Sequence, residues 1–302
     1  PGWGVTHFAS IQDGIDAASP GDAVCVSPGT YLELVDFSGK DVAVVGVQGP
    51  ENTVIDGNGN GPVVTIAQGE TADALLSGFT ITGGVAEDGA GIFIVDAAPT
   101  LTDLVVRGNM AADSGGGIHV ASGIGSVELT LTDVILAGNY AEQYGGGLNI
   151  YAGPATTITP TLVDVVVTEN ASGYSGGGIA AAAYASAALT TVRPILEGVT
   201  VESNEADYGG GLWVSKIGSG GAINLSMTDV VLADNHAEYG GGAYVGDMSA
   251  QMATMVLLER VTVERNTAAQ YGGGFRLYSG HAASAFLDIL DGNDLQTFVF
   301  GR

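Results

Sequence analysis

Apolar residues along this chain alternate with a period of two inside a longer period of about thirty. Aligned on Asn109, Asn139, Asn170, Asn204, Asn235 and Asn266, whose successive separations are 30, 31, 34, 31 and 31 residues, three columns are apolar throughout. Leu101, Leu131, Leu162, Leu196, Met227 and Leu258 stand eight positions before the asparagine. Leu104, Val134, Val165, Val199, Val230 and Val261 stand five before it, and Val106, Leu136, Val167, Val201, Leu232 and Val263 three before it. Two before it come Arg107, Ala137, Thr168, Glu202, Ala233 and Glu264, a solvent-facing set. This is strand alternation, and nothing here has helical period. Five or six residues after each asparagine comes a triple glycine, at 115–117, 145–147, 176–178, 209–211, 240–242 and 272–274. A second strand follows, as in Ile118-His119-Val120 and Leu212-Trp213-Val214, with its outer residues inward and its middle residue outward. A third fits ahead of the leucine column, as in Glu128-Leu129-Thr130.

A unit that repeats every ~31 residues buries its apolar face only by stacking on its neighbours. The predicted fold is therefore all-β: a parallel β-helix of about nine coils, one domain over 1–302. Residues 1–30 read as a cap, 31–100 as irregular first coils, 101–280 as the regular repeats and 281–302 as a closing coil or plug. In the cap, Ser10 followed by Asp13 resembles a capping box, and Ile11, Ile15 and Ala18 share one face of a short helix. Laid across the first coil, that helix would cover an open sheet edge. Two corner features have structural roles. The asparagines are expected to form a rung-to-rung hydrogen-bonded ladder, at corners where Asn tolerates the left-handed conformation. The glycines mark tight corners with close backbone approach, because the Lys-Ser/Thr of a phosphate loop is missing.

Composition narrows the function. Eight Lys and Arg face 33 Asp and Glu, a formal charge of −25. That surface repels nucleic acid, anionic lipid and uncompensated polyanions. No apolar run reaches the ~18 residues of a membrane helix, so no membrane-spanning segment is expected. Cys25 is the single cysteine and can form no internal disulfide. Few lysines among many Gly, Thr, Asn and Asp suit an extracellular protein on a bacterial surface.

Ile11-Gln12, Ile15-Asp16-Ala17-Ala18, Pro20-Gly21-Asp22 and Pro28-Gly29-Thr30-Tyr31 resemble the opening of right-handed β-helix proteins of the pectin-lyase-like superfamily. Residues 101–280 resemble the repeats of bacterial polymorphic outer-membrane proteins, although Val or Leu replaces their aromatic residue and a third Gly is added. The resemblance implies a right-handed coil and a surface passenger or adhesin more than a catalyst. The polygalacturonase motifs Asn-Thr-Asp, Asp-Asp, His-Gly and Arg-Ile-Lys are absent. A lyase would need a base, and Arg107 and His119 are the only basic pair near Asp103, Asp113 and Asp133.

Several residue sets invite binding. Asp56-Gly57-Asn58-Gly59-Asn60-Gly61 matches half of a calcium loop, with Asp56, Asn58 and Asn60 as ligands, but Ala67 occupies the place of the bidentate Glu. An Asn-Gly turn explains the same residues. Asp103, Asp133, Asp164 and Asp229 sit six before their asparagines and read as turn residues, in a column that Gly198 and Arg260 interrupt. Tyr144, Tyr174, Tyr208, Tyr239 and Tyr271 precede the glycines as a ring ladder, with Tyr174 one residue out of step. The outward column Phe93, His119, Asn149, Ala180, Trp213, Tyr244 and Arg276 is the best candidate contact surface. The expected protein is a non-enzymatic β-solenoid, adhesive or structural, that binds a glycan or protein on a cell surface or itself end to end. It needs no cofactor, with calcium a possible ligand. The alternative is a polysaccharide-active lyase or glycoside hydrolase.

Overall fold

The computed structural model describes residues 7–185, 190–218, 221–247 and 254–279, and the backbone of strands within 285–301. Every strand pairing is parallel and joins residues one coil apart, as in Leu101 with Leu131 and Leu131 with Leu162. The strands form three sheets of 18, ten and seven strands. The chain is thus a parallel β-helix, and the seven-stranded sheet marks about seven fully three-sided coils rather than nine. The apolar columns line one continuous core, in which Leu101, Leu131, Val134, Leu136, Ile118 and Val120 are buried.

The longest sheet is bent in every repeat by a left-handed residue six before the asparagine. Asp103, Asp133, Asp164, Gly198, Asp229 and Arg260 all have φ between 51° and 66°. These aspartates are the expected turn residues. A second left-handed column lies one before the asparagine, at Gly108, Gly138, Glu169, Ser203, Asp234 and Arg265. The asparagines themselves are not left-handed, which corrects that expectation: the preceding residue makes the corner, freeing the asparagine side chain to turn inward. The segment from asparagine to glycine, as in Met110–Ser114 and Glu205–Tyr208, forms the seven-stranded sheet, a strand that the apolar columns do not predict. Its inward residues Ala111, Ala141 and Ala237 are fully buried, and the equally small Ser172 holds the same place in another coil.

The asparagine ladder is present. The Asn139 side-chain amide donates to Val106 O at 2.9 Å and to Asn170 Oδ1 at 3.0 Å, and its backbone N–H donates to the same Oδ1 at 2.9 Å. The pattern runs from Asn109 to Asn266, all at most 8% exposed.

Helix α1 (Ile11–Ala17) covers the first coil as expected, with Ser10 accepting from the Asp13 N–H. The coil beneath clamps both its ends. Glu33 accepts from the Ile11 and Gln12 N–H groups at 3.0 Å, and the Lys40 ammonium donates to the carbonyls of Ile15, Asp16 and Ala18. An anion at the N-terminus and a cation at the C-terminus match the helix dipole. At the other end the backbone of 298–301 pairs with 275–278 as a further rung. The side chains of the expected C-terminal plug lie outside the described residues.

Candidate functional site

The site lies on the outer face of the ten-stranded sheet. Residues at i and i+2 of one strand share a face, so His119 and Ala121, Asn149 and Tyr151, and Ala180, Ala182 and Tyr184 stack outward in register. This surface is not bare. His119, Asn149, Trp213 and Tyr244 are only 8%, 5%, 4% and 4% exposed, which corrects the expectation of an open contact column. The tyrosine ladder explains it. Tyr208 stacks on Tyr239 at 5.0 Å and Tyr239 on Tyr271 at 6.2 Å, while Tyr208 meets Tyr244 edge-on at 5.7 Å. The rings close over the outer face and form a second apolar cluster with Ala180, Ala182, Trp213 and Tyr244. Arg276, half-buried, lies over the Tyr239 ring at 4.8 Å and over the Tyr244, Tyr271 and Tyr278 rings at 5.3–5.5 Å. It serves as a cation–π lid on that cluster.

The ladder is interrupted at one coil. Ser175, not Tyr174, stands in register between Tyr144 and Tyr208. Tyr174 is displaced outward, 40% exposed and edge-on to Tyr144 at 5.6 Å. The same coil contributes only Ala180 and Ala182 to the buried part of the outer face. Small residues there leave room for Trp213, which rises from the next coil to within 5.7 Å of Tyr144. Beside this break opens a cleft of about 420 Å³. Its floor is His119, Asn149 and Trp213, its aromatic walls are Tyr144, Tyr151 and Tyr184, and Asp88, Asp113 and Ser114 close one end.

The polar end is tightly organised. The Ser114 N–H donates to Asp88 Oδ1 at 3.1 Å, and the Ser114 hydroxyl donates to Asp113 Oδ1 at 3.1 Å. One serine thus holds two carboxylates side by side. Burial, and then the charge of Asp113, push the Asp88 carboxyl above its ordinary range, while the Ser114 N–H pulls it back. His119 stacks on Phe93 at 5.7 Å with 12° between the planes, which places Phe93 behind the site. Its Nδ1 lies 3.1 Å from the Asn149 amide nitrogen and 3.8 Å from Asp88 Oδ1. The amide donates to Nδ1, an arrangement that a neutral ring meets with its proton on Nε2. Burial lowers the imidazole from 6.5 to about 4, outweighing the opposing charge of Asp113. The Asp88 contact is therefore not an ion pair at neutral pH.

A pH dependence follows. Unfolded His119 takes up a proton below about 6.5, whereas the folded ring stays neutral down to about 4. Its contribution is complete above the upper value and is lost towards the lower one, on the order of 3 kcal/mol. Asp88 acts with the opposite sign, since its raised pKa lets the folded state protonate first and recover stability in acid. Urea unfolding of His119→Gln should show a flatter stability curve between pH 7 and 4 than wild type. An equally steep curve would place the titration elsewhere.

The other predicted sites are separate. Arg107 is exposed at the end of a strand in the longest sheet, so it does not join His119. At the calcium-loop sequence, Asp56 Oδ1 accepts from the Asn58 N–H at 2.8 Å, and the Asn60 amide donates to the Asn58 and Gly57 carbonyls. A cation there would compete with these turn bonds. Among the described residues no three His, Cys, Asp or Glu side chains converge as a metal site, and no helix is long and apolar enough to cross a membrane. Sequence reasoning missed Asp88, Tyr151 and Tyr184. Period-two extension of the outward column finds both tyrosines, at 149+2 and 180+4. Asp88 stands in the column of Ser114 and Tyr144, one coil earlier, where neither a tyrosine nor a triple glycine marks it in the sequence.

Fold and site together define a parallel β-solenoid with an acidic, aromatic-walled cleft on one outer face. No family model, curated protein or solved structure matches the chain.

Proposed function

We propose that this protein is a non-enzymatic, extracellular β-solenoid that binds glycans of a cell surface through the Tyr151–Tyr184 cleft. The observation that carries this reading is a pair of exposed rings above a polar floor. Tyr151 and Tyr184 are 37% and 44% exposed and meet at 6.1 Å with 31° between their planes, within reach of the His119 and Asn149 side chains below. Ring faces suit the apolar faces of sugars, and a few convergent polar groups fix orientation. The deeper tyrosine ladder is spent on packing, so contact is concentrated at one cleft instead of spread along the coil.

The test is glycan-array binding followed by calorimetry on Tyr151→Ala. Loss of an anchor ring should weaken binding about ten-fold. Stability should change by no more than ~0.5 kcal/mol, because the ring is exposed. Absence of any bound glycan, or unchanged affinity in the variant, would refute the reading.

The polysaccharide-active alternative draws on one observation. Asp88, held protonated more readily than an ordinary carboxyl, stands beside Asp113, and glycoside hydrolysis uses such a pair. Release of reducing ends from a bound glycan, abolished in Asp113→Asn, would establish that alternative. The non-enzymatic reading expects none.

A further inference from the structure

We infer that the cleft selects a cationic sugar: a protonated amino sugar whose ammonium sits between Asp88 and Asp113 while its ring lies against the tyrosine walls. The inference rests on the glycan reading and adds the charge of the ligand. Its first support is the composition of the lining. Asp88 and Asp113 are held by the same serine, and no Lys or Arg lines the cleft among the described residues. His119, the one basic group there, is neutral at pH 7 because it is buried. Two adjacent carboxylates thus repel each other with no protein cation to offset them. The whole chain adds to this field, at −25. A uronate, sulfate or phosphate group would be repelled, and an ammonium would relieve the repulsion.

A second, independent observation points to a ligand. His119 is 8% exposed as a residue and 10% at its side chain, and its ring lines the cleft. Asn149 occupies Nδ1, and Nε2 has no hydrogen-bond partner among the described residues. Nε2 is not sealed off from solvent, so its N–H is open to a partner in the cleft. A sugar hydroxyl is a neutral acceptor of the right kind for it. The aromatic walls supply the remaining recognition, since ring faces attract ammonium groups as well as sugar C–H faces. Carboxylates, a hydroxyl-seeking donor and ring faces in one cleft of about 420 Å³ match an amino sugar better than a simple polyamine, which would leave Nε2 unserved.

The experiment measures affinity of the full chain for four probes: a glucosamine tetramer, its N-acetylated counterpart, a galacturonate tetramer and spermidine. The glucosamine tetramer should bind at least ten-fold more tightly than the acetylated one and weaken with salt, and the galacturonate tetramer should not bind. Asp113→Asn and Asp88→Asn should each reduce the preference for the free amine about ten-fold, with affinity for the acetylated tetramer held. Equal or tighter binding of the acetylated tetramer, or an unchanged preference in both variants, overturns the charge inference while leaving a glycan-binding cleft. Spermidine binding as tightly as the glucosamine tetramer overturns it as well, by showing a cation site indifferent to sugar. Failure of every sugar, on this panel and on the array, removes the glycan reading itself. Circular dichroism of both Asn variants should match wild type, which separates binding loss from misfolding.

Discussion

Replacing Asn170 with Leu should lower the stability of the β-helix by about 4 kcal/mol. Asn170 Oδ1 accepts from the Asn139 N–H at 2.9 Å and from the Asn139 side-chain amide at 3.0 Å. Its own amide donates to Leu136 O at 2.9 Å and to Asn204 Oδ1 at 3.0 Å. Leucine fills similar space and makes none of these bonds. Two Asn139 donors and the Leu136 carbonyl are then buried unpaired, at roughly 1–3 kcal/mol each. The variant should unfold at lower urea by circular dichroism and lose amide protection first in the coils on either side, because stability in a stacked array is a nearest-neighbour property. A change under about 1 kcal/mol would mean that the ladder is only a consequence of the corner geometry. Asn170→Asp provides a check on mechanism. A carboxylate there sets negative oxygen against Leu136 O and Asn204 Oδ1, so part of its loss should return in acid as the group protonates.

Gly177→Ala should be nearly as damaging, although alanine is the smallest possible addition. A Cβ at Gly177 would stand 2.2 Å from the Glu205 carbonyl oxygen and 2.6 Å from that of Gly210. Both are backbone atoms of the next coil and cannot rotate away. The coils must separate locally, which strains the Gly178-to-Gly210 and Gly177-to-Gly209 hydrogen bonds. Overpacking against soft side chains costs about 1–3 kcal/mol, and here the cost should reach or exceed the upper figure. The contrast is Gly138→Ala. Gly138 has φ +61°, and a Cβ added to it would meet no atom within 4 Å. Only the left-handed conformation is then penalised, at about 1 kcal/mol. Urea midpoints of the two variants should differ clearly. Equal midpoints would show that close coil approach is not what the second glycine of each triplet provides.

The two substitutions also show which parts of the structure are readable in advance. The asparagine and glycine columns are legible because each residue meets its own counterpart one coil away, so a one-dimensional repeat carries the contact map. The corner residue lies one position earlier than the pattern suggests. Propensity gives φ +56° to Asn204 rather than Ser203, because asparagine tolerates it better; the inward hydrogen bonds of the asparagine decide the other way. Alternation identifies the outward column correctly but says nothing of its cover. Its burial depends on Tyr208 and Tyr239 packing against Trp213 and Tyr244 in one cluster, a contact between two different sheets.

By itself the sequence determined the length of the coil, the three apolar columns, the capping helix and the two structural ladders. Each follows from local alternation repeated at a constant interval, which leaves stacking as the only way to bury the apolar face. Tertiary structure alone decided the site. The cleft draws on residues from Asp88 to Ile217, spread over five successive repeats. It exists where the repeat fails: Ser175 replaces a tyrosine, Ala180 and Ala182 leave a gap, and Trp213 and Tyr151 line what remains. A break in a pattern carries no message until the neighbours that would have filled it are set in place.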